Sequence, residues 1–127
     1  MKTIKLCLIG LGNFGKILDR EIGQIKGLEI THYYHPDGKK AKKFSPEKGT
    51  ADLKSALKDV DGVIIATPNN VHFENIKKCL KAGKHIFVEK PLAGFYGDAL
   101  NLKRLLPQNS VFMVGHNQRR ESYFREA

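Results

Sequence analysis

The stretch IKLCLIGLGNFG, residues Ile4–Gly15, decides the fold of this chain. Its first half, Ile4–Ile9, is an apolar run typical of a buried strand, and a helical pattern follows the glycines. The apolar residues of that pattern are Phe14, Ile17, Leu18, Ile22 and Ile25. A G-x-G-x-x-G motif between strand and helix indicates a dinucleotide-binding turn, although an ordinary glycine-rich turn is the alternative.

Each glycine of the motif has a separate physical role. Gly10 allows the tight turn off the strand, and Gly12 lets a pyrophosphate approach the backbone. Gly15 lets the helix pack closely against the strand. The unpaired N–H groups at the start of the helix, together with its partial positive charge, then favour phosphate binding.

Composition places the chain among ordinary globular domains. It has 127 residues, enough for one domain with a real core, and it is 41% hydrophobic and 28% charged. No apolar run approaches the roughly 18 residues of a membrane span, and Met1–Thr3 runs directly into the first strand. We therefore expect no signal peptide, no membrane span and a cytoplasmic location. Cys7 and Cys79 are too few for a disulfide framework or a zinc site, and we expect no metal.

The formal net charge of +9 raises the question of nucleic acid. The lysines are spread over many segments, with small clusters at residues 39–40, 42–43 and 77–78. No aromatic residues interleave with them, and no nucleic-acid-binding motif is present. The charge therefore favours solvated helix faces, some of them facing an anionic cofactor, over nucleic-acid binding.

Predicted strands and helices alternate along the whole chain, which is typical of a parallel sheet covered by helices. The predicted strands are Ile4–Ile9, Leu28–Tyr34, Gly49–Ala51, Val63–Ala66, His85–Val88 and Val111–Val114. The later helices are predicted at Lys39–Phe44, at Asp52–Leu57 with Thr50 or Asp52 as cap, over Phe73–Leu80 with Gly83 as stop, at Asp98–Leu106 and at Gln118–Ala127. This pattern predicts an α/β fold with a doubly wound parallel sheet of about six strands and helices on both faces.

Two further segments end where ligands bind in such a sheet, at the carboxyl ends of strands. ATPNNVH, Ala66–His72, follows the fourth strand, and AGKHIFVEKPLA, Ala82–Ala93, contains the fifth. With the glycine turn and GHNQR at Gly115–Arg119, these segments make the chain similar to the glucose–fructose oxidoreductase and inositol dehydrogenase family, Gfo/Idh/MocA. The similarity spans nearly the whole chain but only the N-terminal half of a typical member.

The resemblance implies hydride transfer between a nicotinamide cofactor and a sugar, an inositol or a related polyol or carbonyl compound. It implies cofactor binding by Gly10, Gly12, Asn13, Phe14, Gly15, Thr67, Pro68, Asn69, His72, Glu89, Lys90 and Asn117. Within that set Lys90 would also face the substrate, as the candidate catalytic residue.

One residue departs from the fingerprint. An acid is expected about 20 residues beyond the last glycine, on the adenosine ribose, and His35 stands there instead. A histidine does not repel a 2′-phosphate, and Lys39 follows closely. We therefore expect NADP(H) to be accepted and slightly favoured. The alternative is that Asp37 binds the ribose of NAD.

The second departure is length. Residues 1–117 match the dinucleotide-binding Rossmann domain, and residues 118–127 form a tail that leads, in the family, into a substrate domain absent here. The chain is either part of a longer enzyme or a stand-alone nucleotide-binding regulatory or sensor module. We expect it to bind cofactor without efficient turnover, because hydride transfer also requires substrate positioning. Apolar surface left uncovered predicts a homodimer or other homo-oligomer.

Overall fold

The computed structural model describes residues 2–89, 101, 103–106 and 109–115, with the backbone alone at 69–72 and 89. The strands are β1 (Ile4–Ile9), β2 (Leu28–Tyr34), β3 (Gly49–Thr50), β4 (Gly62–Ile65), β5 (His85–Glu89) and β6 (Phe112–Gly115). The helices are α1 (Asn13–Ile22), α2 (Gly38–Phe44), α3 (Leu53–Lys58) and α4 (Asn69–Lys81).

The strands form one sheet in the order β3-β2-β1-β4-β5-β6, and every pair in it is parallel. The chain winds outward from β1 in one direction, then returns and winds outward in the other. This is the predicted doubly wound architecture with six strands, and it is confirmed. The place where the winding reverses lies between β1 and β4, where a ligand crevice is expected.

Side chains alternate along β1 and enter two separate cores, because successive residues of a strand point to opposite faces. Cys7 and Ile9 join a cluster with α3 and α4, whereas Leu8 joins a cluster with Ile22 of α1. Helices therefore cover both faces, as predicted. The all-apolar β4 is buried along its whole length, as a central parallel strand requires.

The helix ends follow local chemistry. The Asp52 carboxylate accepts a hydrogen bond from the backbone N–H of Ser55 at 3.2 Å, so Asp52, and not Thr50, caps α3. The C-terminal stop predicted at Gly83 is confirmed: Gly83 has φ +73°, and its N–H donates to the carbonyl of Leu80 at 2.9 Å.

Fewer residues of the first helix pack against the sheet than the apolar spacing predicts. Ile25 lies beyond the end of α1 and is 50% exposed, because the chain leaves the helix at Gly23. Phe14 and Ile17 are 39% and 44% exposed, so the contact with the sheet is made by Leu18 and Ile22.

The helix predicted over Phe73–Leu80 begins four residues earlier, at Asn69, and ends one residue later, at Lys81. The bounds of α2, α3, β3, β4, β5 and β6 shift by one residue. The predicted helix at 98–106 is observed as helical at 101 and 103–105, and its other positions except 106 lie outside the described residues. The predicted helix at 118–127 lies outside them entirely.

Candidate cofactor site

Three neighbouring strands end side by side at the centre of the sheet. Ile9, the last residue of β1, pairs with Tyr34 of β2 on one side and with Ile65 of β4 on the other. The residues that follow are Gly10, His35 and Ala66. Parallel pairing therefore brings the glycine turn, the His35 segment and the Ala66 segment to one edge of the sheet.

A cleft of about 800 Å³ opens at this edge. Its lining comes from Ile9–Phe14, Tyr34–Pro36, Ala66–Pro68 and three α4 residues, Glu74, Asn75 and Lys78. The volume lies within the usual range for small-molecule and cofactor sites, about 300–1,000 Å³. The structure thus brings together most of the predicted cofactor-binding residues that it describes.

Two glycines of the turn are required by packing within the protein. Gly10 has φ +101°, and a Cβ there would stand 2.6 Å from the carbonyl carbon of Ala66. A Cβ on Gly15 would stand 2.2 Å from the carbonyl oxygen of Gly10. Both distances are shorter than any side chain tolerates, so these glycines let the turn pack onto β4 and onto α1.

Gly12 is different, because no atom of the described residues lies within 4 Å of the Cβ it lacks. Its φ of −81° is open to any residue, so neither space nor backbone conformation within the chain calls for glycine. Gly12 lines the cleft, and its missing side chain leaves room for a ligand to approach the backbone.

The start of α1 is suited to an anion. Gly12 is its N-cap, no side chain caps the helix, and its first turn contains no acidic residue. The early N–H groups of a helix have no partner inside the helix, and they carry a partial positive charge. The chain therefore provides the donors and the open space that a dinucleotide pyrophosphate needs.

The His35 segment forms a second wall. His35 is half-buried, and its Nδ1 accepts a hydrogen bond from the backbone N–H of Asp37 at 2.9 Å. The Asp37 carboxylate accepts from the N–H of Lys39 at 2.9 Å and so caps α2. Asp37 is engaged in this cap, whereas the His35 ring keeps Nε2–H as a donor.

The Ala66 segment and α4 form the third wall. The side-chain amide of Asn75 donates to the hydroxyl oxygen of Thr67 at 3.3 Å, which ties the helix to the strand end. Asn75, Lys78 and Glu74 were not predicted to line the site. Their positions along the helix that follows β4 are the only sequence signal that could have found them.

The remaining predicted site residues either are not described by the structure or do not line the cleft. Lys90 and Asn117 are not among the described residues, nor are the side chains of Asn69, His72 and Glu89. Lys39 is described, but it is exposed and does not line the cleft. Gly15 is buried beneath the turn, so its role there is packing.

Three buried residues, Tyr33, Cys7 and Cys79, belong to the two cores of the sheet. The Tyr33 hydroxyl on β2 donates to the Asp19 carboxylate on α1, and burial together with this bond raises the pKa of Tyr33. Burial raises the pKa of the Cys7 and Cys79 thiols to about 12. These thiols stay protonated at neutral pH, which makes them core residues rather than nucleophiles.

Within the described part of the chain, no group of three or more His, Cys, Asp or Glu side chains is arranged to hold a metal ion. No helix in that part is long and apolar enough to cross a membrane.

The sheet order, the glycine turn and the cleft at the reversal point define an α/β domain of the Rossmann type, a fold found in many dinucleotide-binding proteins. The chain belongs to the Gfo/Idh/MocA oxidoreductases: the family model for their NAD-binding Rossmann fold matches residues 4–116.

Several known proteins are similar to this chain. An uncharacterized oxidoreductase of Streptococcus pneumoniae is 39% identical over 120 residues, which are 89% of this chain and 32% of the relative. The scyllo-inositol 2-dehydrogenase (NADP(+)) of Bacillus subtilis is 27% identical over 96% of this chain and 36% of its own length. The crystal structure of Lactobacillus casei scyllo-inositol dehydrogenase with bound NAD(H) and scyllo-inositol superposes with a TM-score of 0.84 at 28% identity.

That superposition covers 98% of this chain and 39% of the crystallised one. The chain thus spans between about a third and two fifths of the length of these proteins.

Proposed function

We propose that this chain binds NAD(H) or NADP(H) in the cleft and is the cofactor-binding part of a dehydrogenase. The observation that carries the proposal is Gly12. It is the one glycine of the motif whose missing side chain serves no contact within the described chain, and it opens onto the uncapped start of α1. A pyrophosphate accounts for both features.

The other cofactor contacts are distributed along the strand ends. Gly10, Gly12, Asn13 and Phe14 would cradle the pyrophosphate, with Gly15 packed beneath them. Thr67, Pro68, Asn69 and His72 would line the groove. Glu89 and Lys90 would lie by the nicotinamide ribose, and Asn117 would approach the nicotinamide. Bound there, the cofactor supplies or accepts the hydride, and the chain supplies its position and orientation.

We propose that NADP(H) is slightly favoured over NAD(H). An NAD-specific site needs an acceptor that faces the ribose hydroxyls. Asp37 caps α2, with its Oδ1 accepting from the N–H of Lys39 at 2.9 Å, and it is not among the residues that line the cleft. The Nε2–H of His35 is a donor and suits a phosphate oxygen. One relative uses NADP(+) and another is solved with NAD(H), so the family contains both types.

The substrate we propose is a sugar, an inositol or a related polyol or carbonyl compound. The two named relatives above act on or bind scyllo-inositol, a cyclic polyol. Lys90 is the proposed catalytic residue facing this substrate. Because the chain spans little more than a third of these relatives, we expect it to bind cofactor but to turn substrate over poorly by itself.

We also propose a cytoplasmic location and self-association. An apolar groove of about 480 Å³ lies over β1, β4, β5 and β6, and Val111 and Met113 beside it are 60% and 43% exposed. Large uncovered apolar surface favours association. Sedimentation velocity of the purified chain should show a dimer or larger species, whereas a monomer at all concentrations would exclude this part of the proposal.

The direct test of cofactor binding is a fluorescence titration of the purified chain with NADPH and, separately, with NADH. We expect saturable binding of both, with NADPH the tighter ligand. Absence of binding to a folded chain would contradict the proposal and would favour a module without cofactor chemistry. Steady dehydrogenase turnover of a polyol by this chain would contradict the expected lack of activity.

A further inference from the structure

Three residues of α4, Glu74, Asn75 and Lys78, line the cleft although α4 is not part of the fingerprint, and Glu74 is paired with Lys77. The other two are Asn75 and Lys78. They are three positions apart, and residues at this spacing lie on the same side of a helix. They offer different chemistry, since one is a neutral amide and the other a cation. The inference drawn from them rests on the proposed cofactor function.

Lys78 keeps its charge available to the cleft. Its neighbour Lys77 forms an ion pair with Glu74 at 3.8 Å and lies over the ring of Phe73 at 5.0 Å. Among the described residues Lys78 forms no ion pair, and it is exposed. The adjacent lysines therefore differ in their contacts: Lys77 is held by Glu74 and Phe73, whereas Lys78 lines the cleft.

Asn75 is held in a fixed orientation. Its Nδ2 donates to the hydroxyl oxygen of Thr67 at 3.3 Å, and the residue is half-buried. This bond uses the donor end of the amide. The Oδ1 end has no partner among the described residues and remains a hydrogen-bond acceptor.

The packing of α4 places this pair on a different side of the cleft from the start of α1. Lys78 follows Asn69, the first residue of α4, by nine positions, which is about 13 Å along a helix axis. The pyrophosphate is expected at the start of α1, at the ends of the strands. The residues of α1 and of α4 join different cores, so the two helices lie on opposite faces of the sheet. The wall made by Asn75 and Lys78 therefore faces the start of α1 across the cleft and is placed to meet another part of the nucleotide, its base.

We infer that Asn75 and Lys78 recognise the adenine base of the cofactor by its Watson–Crick edge. Adenine presents an N6 amino donor beside the N1 acceptor. The Asn75 Oδ1 accepts from N6, and the Lys78 ammonium donates to N1. Hypoxanthine reverses both groups, with an O6 acceptor beside an N1–H donor. Its O6 would face the Asn75 Oδ1, another acceptor, and its N1–H would face the Lys78 ammonium, another donor.

The test compares NADH with reduced nicotinamide hypoxanthine dinucleotide, which differs from NADH only at this edge. We expect the wild-type chain to bind NADH about tenfold more tightly, the scale of discrimination that paired base-edge hydrogen bonds provide. In Lys78→Met and Asn75→Leu the preference should fall to about twofold or less. Lys77→Met is the matched control and should keep the wild-type preference.

Asn75→Asp provides a second check, because it keeps an acceptor oxygen at the position of Oδ1. It should retain the preference that Asn75→Leu loses. Equal binding of the two dinucleotides by the wild-type chain would overturn this inference and leave the proposed function intact. Binding of neither would overturn the proposed function itself. An equal loss of preference in Lys77→Met and Lys78→Met would overturn the inference about the adenine base, since Lys78 lines the cleft and Lys77 does not.

Discussion

The inner side of the glycine turn, made by Gly10 and Gly15, contrasts with its outer rim, made by Gly12. On the inner side an added Cβ would meet backbone atoms at 2.6 and 2.2 Å, whereas at the rim it would have no neighbour within 4 Å in the described part of the chain. All three residues belong to one six-residue motif, yet only two of them are explained by the folded chain. A glycine required by folding and a glycine required by a ligand can therefore be told apart by what their missing side chains would touch.

The largest effect is expected on the inner side. Gly10→Ala and Gly15→Ala should each lower the free energy of unfolding by roughly 3 kcal/mol or more, because backbone must move to admit the methyl group. Gly10→Ala is also strained by φ +101°. Urea denaturation followed by circular dichroism measures the change.

Gly38→Ala is the control for these two variants. A Cβ at Gly38, the first residue of α2, would make an ordinary 3.6 Å contact with Ala51. Its stability should stay close to that of the wild type. Equal midpoints for Gly10→Ala, Gly15→Ala and Gly38→Ala would contradict the packing role of the inner side.

The next effect concerns the core beneath the turn, where Cys7 and Cys79 have pKa values raised by burial from 9.0 to about 12. As pH rises, the thiols lose their protons in the unfolded chain before they do so in the folded one, and this stabilises the unfolded state. The free energy of unfolding should therefore be constant in this respect below pH 9 and decline between about pH 9 and 12. The loss should be on the order of 1 kcal/mol per thiol by about pH 10. Urea midpoints across this pH range test it.

Cys79→Ala separates the thiols from other alkaline titrations. It should be less stable at neutral pH because of the cavity it creates, but its decline with pH should be shallower than that of the wild type. A decline of the same steepness in both proteins would mean that Cys79 does not titrate as a buried thiol.

A smaller effect, on cofactor preference, is expected at His35, in the second wall of the cleft. His35→Asp should shift the preference from NADPH toward NADH by about tenfold, because a carboxylate accepts from ribose hydroxyls and repels a 2′-phosphate. Titration with each cofactor gives the ratio of affinities. Lys43→Gln, which removes a positive charge from α2 but leaves the cleft unchanged, is the control. An unchanged ratio in His35→Asp would show that His35 does not face the 2′ position.

Most of the fold could be predicted from the sequence, because local pattern and sheet position agree. The predicted bounds of β1 and β2 are those observed, and the fully apolar β4 lies at the centre of the sheet. The prediction was wrong at the first helix, where Ile25 falls outside α1. Periodicity places Ile25 on the helix face, but it does not contain the information that the chain turns away at Gly23.

The candidate site could be predicted only where the motif is contiguous in the chain. Gly12 and His35 follow strand ends, so their meeting at one edge of the sheet follows from parallel pairing. Asn75 and Lys78 could not be found this way. Their contribution depends on how α4 packs over the sheet, and the same stretch of sequence gives Lys77 no part in the cleft.

The central claim is that Gly12 serves a bound dinucleotide, and Gly12→Ala tests it most directly. The same preparation of Gly12→Ala is used for urea denaturation, which gives the free energy of unfolding, and for titration with NADH, which gives the affinity. Gly38→Ala is measured in the same way as the control. The account predicts that Gly12→Ala keeps or gains stability, by up to about 1 kcal/mol, since an alanine loses less entropy on folding. Its affinity for NADH should fall by about tenfold or more, because the methyl group occupies the approach to the backbone. Unchanged affinity in Gly12→Ala, with Gly38→Ala also unchanged, would contradict the account.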